Sequence, residues 1–245
     1  MHPTNFWCLL HLHRNKISAV LIFFLFLSHQ AKSQESIQLN LPFSDDKWLH
    51  YGFSIGLHTS TLKLKYSDKF VTHQMDSLHS IMTRNAFGFS LGFITDFRLH
   101  DQFNIRILPK VSFYEFGVDY FFTDSTSINQ LIESTFIEIP FLLKYKSERH
   151  QNFRMYIVGG ITPGFEVSGK KRKENSDNKL LTNDFNLSAD IGFGVDMYFP
   201  LFKFSPEIRL SRGLLNMLRR DNYGYSDGIK DLKTSVVTFY LQFSD

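Results

Sequence analysis

Cysteine is almost absent from the 245-residue chain, since Cys8 is the only one. It precedes an apolar run at residues 17–27, so the rest of the chain has no thiol for a disulfide, a Cys-based zinc site or a nucleophile. Tryptophan is scarce, with 2 residues, and no later apolar stretch reaches the ~18 residues of a membrane-spanning helix. These absences exclude disulfide scaffolds, thiol enzymes and helical membrane proteins.

An excess of charge of one sign is also lacking. The formal net charge is +3, but three of the 27 basic residues, Arg14, Lys16 and Lys32, precede residue 34, where no acidic residue lies. The other 24 basic residues equal the 24 acidic residues in number. This balance gives no support to a nucleic-acid-binding surface, and we expect no nucleic-acid partner.

Residues 1–33 have the pattern of a cleaved signal peptide. Arg14 and Lys16 precede the apolar residues 17–27, and Ala31 and Ser33 supply small residues for cleavage near residue 34. A permanent N-terminal anchor is the alternative. The predicted organisation is a signal peptide at residues 1–33, a short periplasmic segment at residues 34–47, and one folded domain at residues 48–245.

Phenylalanine is abundant, with 27 residues, and the apolar residues recur with a period of two. In the clearest segment, residues 185–199, every odd-numbered residue is apolar, while the even-numbered positions include Asp190 and Asp196. A helix would scatter both sets around its circumference. Eight segments alternate in this way, at residues 49–65, 87–99, 103–116, 133–146, 153–168, 185–199, 204–214 and 235–243.

The connections between these segments alternate in length. Short turns are predicted at residues 100–102, 147–152 and 200–203, and long polar loops at residues 66–85, 117–132, 169–184 and 215–234. Short periplasmic turns and long extracellular loops are typical of outer-membrane barrels. We therefore predict an all-β fold, an up-and-down, antiparallel, eight-stranded transmembrane β-barrel in the outer membrane of a diderm bacterium. A soluble eight-stranded barrel with an apolar cavity is the alternative.

Aromatic residues recur near the short-turn end of the predicted strands. A ring of aromatic side chains at a common height is typical of the boundary between lipid and water. Ordinary enrichment of phenylalanine in strands would explain their number but not their shared height. The predicted membrane-interface aromatics are Trp48, Phe97, Phe103, Tyr145, Phe153, Phe199, Phe204 and Phe243.

The polar faces of the strands would line the lumen, with six acidic and six basic residues in balance. Eight strands leave an interior that side chains roughly fill, so we expect a packed lumen and no open pore. A path for charged solutes is the alternative. The predicted lumen charge network consists of Asp96, Arg98, Arg106, Lys110, Glu138, Lys144, Arg154, Glu166, Asp190, Asp196, Glu207 and Arg209.

No pattern in the chain is typical of a catalytic, metal or cofactor site, and we expect none of these. His58 and Ser60 suggest a lipid-modifying hydrolase, but their parity places both in the lumen, whereas acyl chains arrive from outside. We expect outer-membrane lipid as a partner. A basic run in a predicted extracellular loop could contact lipopolysaccharide phosphates, although a solvated loop is the alternative. It comprises Lys170, Lys171, Arg172 and Lys173.

Several stretches resemble PorT-type outer-membrane barrels. Residues 45–57 (DDKWLHYGFSIGL) resemble the opening of that family, and residues 88–113 resemble its second hairpin. The most specific likeness is ESTFIEIPFLLKYKS, at the start of residues 133–160, which resemble the third hairpin. Residues 211–216 (SRGLLN) are similar to the end of the seventh strand.

The resemblance implies an accessory barrel of the type IX secretion system. Such a barrel is needed for export of proteins that carry a C-terminal sorting domain, and its partners are other secretion proteins. The family also contains paralogues of unknown role, and none of the matching residues is implied to be catalytic. An OmpX-like adhesin or ligand-binding barrel that acts through its extracellular loops is the alternative.

Overall fold

Antiparallel β-strands make up nearly all of the structure, a computed structural model that describes residues 39–67, 78–123, 127–167, 183–218 and 228–245. The predicted signal peptide lies outside these residues, as does the basic run at 170–173. A 3-10 turn, Ser44–Asp46, precedes the first strand. The strands are β1 (Leu49–Tyr66), β2 (Leu78–Arg84), β3 (Ala86–Arg98), β4 (Phe103–Ile107), β5 (Lys110–Phe122), β6 (Ser127–Glu138), β7 (Phe141–Lys146), β8 (Phe153–Glu166), β9 (Phe185–Tyr198), β10 (Lys203–Gly213) and β11 (Ile229–Ser244).

Two of the eight predicted strands are interrupted, and a further strand, β2, precedes the one predicted at residues 87–99, which is why the described residues contain more strands than predicted. Asn85 separates β2 from β3, while Pro109 and Pro140 end the gaps before β5 and β7. Proline has no N–H to donate to a strand ladder, so the regular pairing stops there. The proline carbonyls still accept hydrogen bonds across the gaps, from the N–H of Phe93 at 3.0 Å and of Leu108 at 3.2 Å. Each interrupted pair therefore continues as one strand of the wall.

The wall closes on itself. Each of the eight wall strands pairs antiparallel with its sequence neighbours. The last strand, β11, pairs with the first, β1, from Gly52 opposite Ser244 to Tyr66 opposite Ile229. A closed sheet leaves no unpaired edge. The predicted fold class, an up-and-down eight-stranded antiparallel barrel, is confirmed.

The three short turns lie at one end of the barrel, as predicted. His100 and Phe103 exchange backbone hydrogen bonds of 3.0 and 3.2 Å around a two-residue turn, and His150 and Phe153 do the same at 2.9 and 3.1 Å. In the second turn Gln151 adopts a φ of 56°. These tight connections fix the register of the strands that they join.

In the lower barrel, the half nearer the short turns, the side chains face inward or outward as their parity predicts. On β9, Ile191 points outward and is 65% exposed, whereas its neighbour Asp190 points inward and is 6% exposed. On β1, Tyr51 and Phe53 are exposed while Ser54 is buried. The exterior is thus apolar and the interior polar, the reverse of a soluble barrel. Within the described residues no helix is long and apolar enough to cross a membrane.

The strands extend further at the long-loop end than predicted. The loop predicted at residues 66–85 contains β2, and the loop at 117–132 is a hairpin of β5 and β6 joined by residues 123–126. Strand β11 begins at Ile229, inside the loop predicted at 215–234. These predicted loop bounds are wrong because the outward-facing residues of the segments are polar, although their inward-facing residues are apolar and buried.

The alternation of polarity inverts in this upper part of the barrel. On β1, Leu62 is buried while Lys63 and Lys65 are exposed, whereas lower on the same strand Leu57 is exposed and Ser54 buried. A barrel that leaves an apolar medium and enters water is expected to change in this way. The buried apolar cluster at this end comprises Leu62, Ile81, Tyr114, Phe116, Val118, Tyr120, Ile132, Phe136, Met217, Leu218, Ile229, Leu232 and Val236.

Candidate functional site

The polar half of the lumen is the candidate functional site, and Arg106 lies at its centre. The two-residue turn between β3 and β4 places Arg106 directly opposite Asp96. Its Nε and Nη2 each donate to the Asp96 carboxylate at 2.8 Å. The remaining Nη1 donates to Glu207 at 3.0 Å and to Gln242 at 2.7 Å. One buried guanidinium therefore joins β3, β4, β10 and β11.

Glu207 extends this network toward the long-loop end. It accepts hydrogen bonds from Tyr156 Oη at 2.9 Å and from Arg209 Nε at 2.8 Å. Arg209 Nη1 also lies 4.0 Å from the Asp190 carboxylate, and its guanidinium lies 4.5 Å from the centre of the Tyr240 ring. The buried charges are therefore paired with one another and covered by aromatic rings.

A second ion pair joins Lys144 to Asp196. Lys144 Nζ donates to both carboxylate oxygens, at 3.0 and 2.7 Å, and lies 3.7 Å from the centre of the Tyr156 ring. Ser205 Oγ donates to the same carboxylate at 2.6 Å. The Tyr156 ring has space here because its cross-strand neighbour, Gly194, has no side chain. A Cβ at Gly194 would lie only 2.4 Å from the Tyr156 ring.

A third ion pair, Lys110 with Glu138, closes the polar half from above. The two residues are cross-strand partners on β5 and β6, and their side chains meet at 2.8 Å. Glu138 also accepts from Ser112 Oγ at 2.7 Å and Tyr114 Oη at 3.1 Å, while Lys110 donates to Tyr240 Oη at 2.9 Å. Beyond this pair the lumen is filled by the buried apolar cluster.

The short-turn mouth is covered by residues 39–48, which we call the strap. Asp45 reaches into the barrel, where its carboxylate accepts from Tyr198 Oη at 2.8 Å and Arg154 Nη1 at 2.9 Å. Arg149 donates to the backbone oxygen of Leu41 at 3.2 Å. Burial raises the pKa of Asp45, but the Tyr198 hydrogen bond and the Arg154 charge outweigh it, so this pKa lies below its ordinary value.

Most of the predicted lumen charges meet in these three clusters, but three do not. Arg98 lies at the short-turn rim, 25% exposed, and pairs with Asp101 at 2.5 Å, because β3 ends there and the turn brings an acid within reach. Glu166, the last residue of β8, is half-buried beside the long-loop end. Arg154 is buried but pairs with the strap and not with its cross-strand partner Asp196.

Sequence reasoning missed part of the site. Lys146 and Lys203 are buried basic residues near the short-turn mouth, and Tyr156, Tyr240 and Gln242 complete the hydrogen bonding of the lumen. Their inward parity was visible, since Lys146 follows Lys144 by two positions and Tyr156 follows Arg154 by two. A balance of charges does not point to the tyrosines, which are neutral.

The predicted interface aromatics lie around the short-turn end, and several form ring pairs. Phe103 and Tyr145 are cross-strand partners with ring centres 5.0 Å apart, as are Phe204 and Phe243. Trp48 lies 6.3 Å from Phe97. Phe153 and Phe199 are exposed on the same outer face, and Phe199 stacks on Phe202, an aromatic that the prediction left out.

The residues that suggested a hydrolase do not form a catalytic pair. Ser60 Oγ donates to the backbone oxygen of Glu115 at 2.6 Å, and His58 packs on Tyr114 with ring centres 4.5 Å apart. Both side chains face the lumen, away from the exterior where acyl chains would lie. Among the described residues, no group of three or more acidic or histidine side chains is arranged to hold a metal ion.

Comparisons with known proteins identify related sequences and folds. The family described as outer membrane protein beta-barrel domain matches residues 31–219, which is most of the chain. In fold the chain is similar to the outer membrane protein OprG from Pseudomonas aeruginosa, with 14% identity, coverage of 79% of this chain and 94% of that chain, and a TM-score of 0.40.

Two further structures give similar values. Neisserial surface protein A has 11% identity, coverage of 78% of this chain and 95% of that chain, and a TM-score of 0.38. Ail, the attachment invasion locus protein of Yersinia pestis, has 14% identity, coverage of 81% of this chain and 100% of that chain, and a TM-score of 0.35. No curated protein matches the chain.

Proposed function

The chain belongs to the outer membrane protein beta-barrel domain family, and we propose that it is a non-conducting barrel that assists a protein secretion machinery. Proteins of this family lie in the outer membrane of Gram-negative bacteria, which agrees with the apolar exterior of the wall. The proposal has two parts, the closed lumen and the secretion role, which rest on different observations.

The filled lumen carries the first part. Its charges are paired at 2.7–3.0 Å between strands, its upper half is packed with apolar side chains, and the strap covers the short-turn mouth. An ion would have to separate buried ion pairs and cross an apolar cluster, and both steps cost several kcal/mol. A folded protein could not enter an eight-stranded barrel at all. The barrel would therefore act through its surfaces, beside a larger conduit.

The PorT-type resemblance supports the second part. In the ESTFIEIPFLLKYKS run, Glu138 forms the Lys110 ion pair, Pro140 ends the gap before β7, and Lys144 forms the Asp196 ion pair. The resemblance thus includes the residues that build the lumen. We propose that the barrel is a component of the type IX secretion system, needed for export of proteins with a C-terminal sorting domain.

Deletion of the gene tests this role. The deletion strain should retain sorting-domain proteins in the periplasm and take up small solutes at the wild-type rate. Complementation with the wild-type gene should restore the export of sorting-domain proteins. If the deletion strain secretes sorting-domain proteins normally, the secretion role is wrong.

A surface adhesin is the second candidate, favoured by the extended upper barrel. Strands β1, β5, β6 and β11 continue beyond the apolar band and present charged residues outward, such as Lys63 and Glu133. Such a rigid base would hold the long loops clear of the membrane. Normal secretion combined with loss of surface attachment in the deletion strain would support the adhesin in place of the secretion role.

A further inference from the structure

The outer face of the barrel is basic on one side, immediately above its apolar band. On β1 the exposed Leu57 is followed by outward-facing Thr59 and Thr61 and then by lysines, and on β10 Leu210 is followed two positions later by an arginine. We call four outward-facing basic residues of β1, β10 and β11 the basic collar. The basic collar comprises Lys63, Lys65, Arg212 and Lys233.

The strand register brings these positive charges together. Lys63 lies directly opposite Lys233, so their Cβ atoms are about 4.5–5.5 Å apart, a placement in which like charges destabilise a sheet. Arg212 of β10 lies opposite Ser235 of β11, which is the next outward-facing residue below Lys233. The acidic neighbour is Asp231, whose carboxylate lies 3.9 Å from Lys233 Nζ. Within the part of the chain that the structure describes, Lys63, Lys65 and Arg212 form no ion pair.

An apolar groove crosses the outer wall of β7, β8, β9 and β10 and meets the basic collar at β10. Its volume is about 640 Å³, and its lining includes Ile191, Phe193, Ile208 and Leu210. Gly159 lies at the floor of the groove. A Cβ added to Gly159 would meet no atom closer than 3.9 Å, so the groove has room for a side chain there. The groove ends at Leu210, two residues from Arg212 on the same face of β10.

We propose that the basic collar and the groove form one binding site for lipid A, the phosphorylated glycolipid of the outer leaflet. Its phosphates would lie on the basic collar and relieve the repulsion between Lys63 and Lys233, while one acyl chain would fill the groove. The charge of the upper rim favours an anionic ligand here, because β10, β11 and β1 carry the basic collar, whereas β5 and β6 present Glu115 and Glu133 as outward cross-strand partners. The leaflet follows from the position of the basic collar toward the long loops, the extracellular end.

Binding of lipid A to the purified, delipidated barrel in detergent tests the phosphate contacts, with native mass spectrometry as the readout. The Lys63→Ala/Lys233→Ala variant should bind lipid A about thirtyfold more weakly than the wild type, the change expected for two basic residues near anionic lipid. Arg84→Ala is the matched control, because Arg84 is an outward basic residue of the upper barrel that already pairs with Asp119 at 3.5 Å. This control should bind as the wild type does.

A second variant tests the groove independently. Gly159→Phe should fill the groove and weaken binding of lipid A, but not binding of the phosphorylated glucosamine disaccharide without acyl chains. Gel mobility before and after boiling verifies that every variant is folded. The proposal is overturned if the double variant binds lipid A as tightly as Arg84→Ala does, if phosphatidylglycerol binds the wild type as tightly as lipid A, or if Gly159→Phe leaves lipid A binding unchanged.

Discussion

Replacing Arg106 by methionine should destabilise the barrel more than any substitution of an exposed charge. The change leaves the carboxylates of Asp96 and Glu207 without the guanidinium that lies 2.8 and 3.0 Å from them, although Glu207 keeps Arg209 and Tyr156. Both carboxylates are buried, so water cannot replace the lost partner. Removing one partner of a buried ion pair costs roughly 3–5 kcal/mol, and we expect a loss of that size in the free energy of unfolding.

Urea unfolding in detergent micelles measures this loss, with the folded fraction read from gel mobility before boiling. Arg84→Met is the matched control, because Arg84 is 57% exposed and its ion pair with Asp119 should contribute only about 0–1 kcal/mol. Adding Asp96→Asn to Arg106→Met should cost less than the sum of the single changes, since the two residues share one interaction. A loss below about 1 kcal/mol for Arg106→Met would refute the reasoning.

Three further outcomes are expected. The wild-type barrel should migrate differently on a detergent gel before and after boiling, because a closed sheet satisfies its backbone hydrogen bonds internally; identical migration would contradict closure. Ile191→Arg should cost roughly 2–4 kcal/mol in liposomes, whereas Asp190→Asn should leave insertion intact, and equal effects would mean that the facing is wrong. Because the pKa of Asp45 is lowered on folding, the ionised Asp45 stabilises the strap fully above about pH 4. This stabilisation is lost as the pH falls through the lower pKa of the folded protein. Trp48 fluorescence should report the loss in the wild type but not in Asp45→Asn.

The lower barrel was predictable from sequence because one simple force shapes it. Where the outer face meets lipid, every outward position must be apolar, so Ile191 and Asp190 could be assigned to opposite faces from their parity alone. The same parity placed Arg106 and Asp96 together in the lumen. Their exact partners depended on the length of the β3–β4 turn, which the sequence also suggested.

The upper barrel was not predictable in the same way, because the pattern inverts instead of ending. The loops predicted at residues 66–85 and 215–234 contain β2 and the start of β11, where Ile81 and Leu232 are packed inside. The ion-pair partners of charged residues at the ends of strands were also not predictable from the sequence. Arg98 and Arg154 have inward parity, but Asp101 in the turn and Asp45 in the strap attract them, and neither contact follows from strand periodicity.

Conductance of the purified barrel in planar lipid bilayers tests the central claim, that the lumen is closed by paired charges, apolar packing and the strap. The account predicts no stable open-channel current from the inserted wild-type protein at moderate voltage, with insertion verified by the mobility shift on boiling. A steady current of the size that open porins carry would show that ions cross the lumen, and would contradict the account.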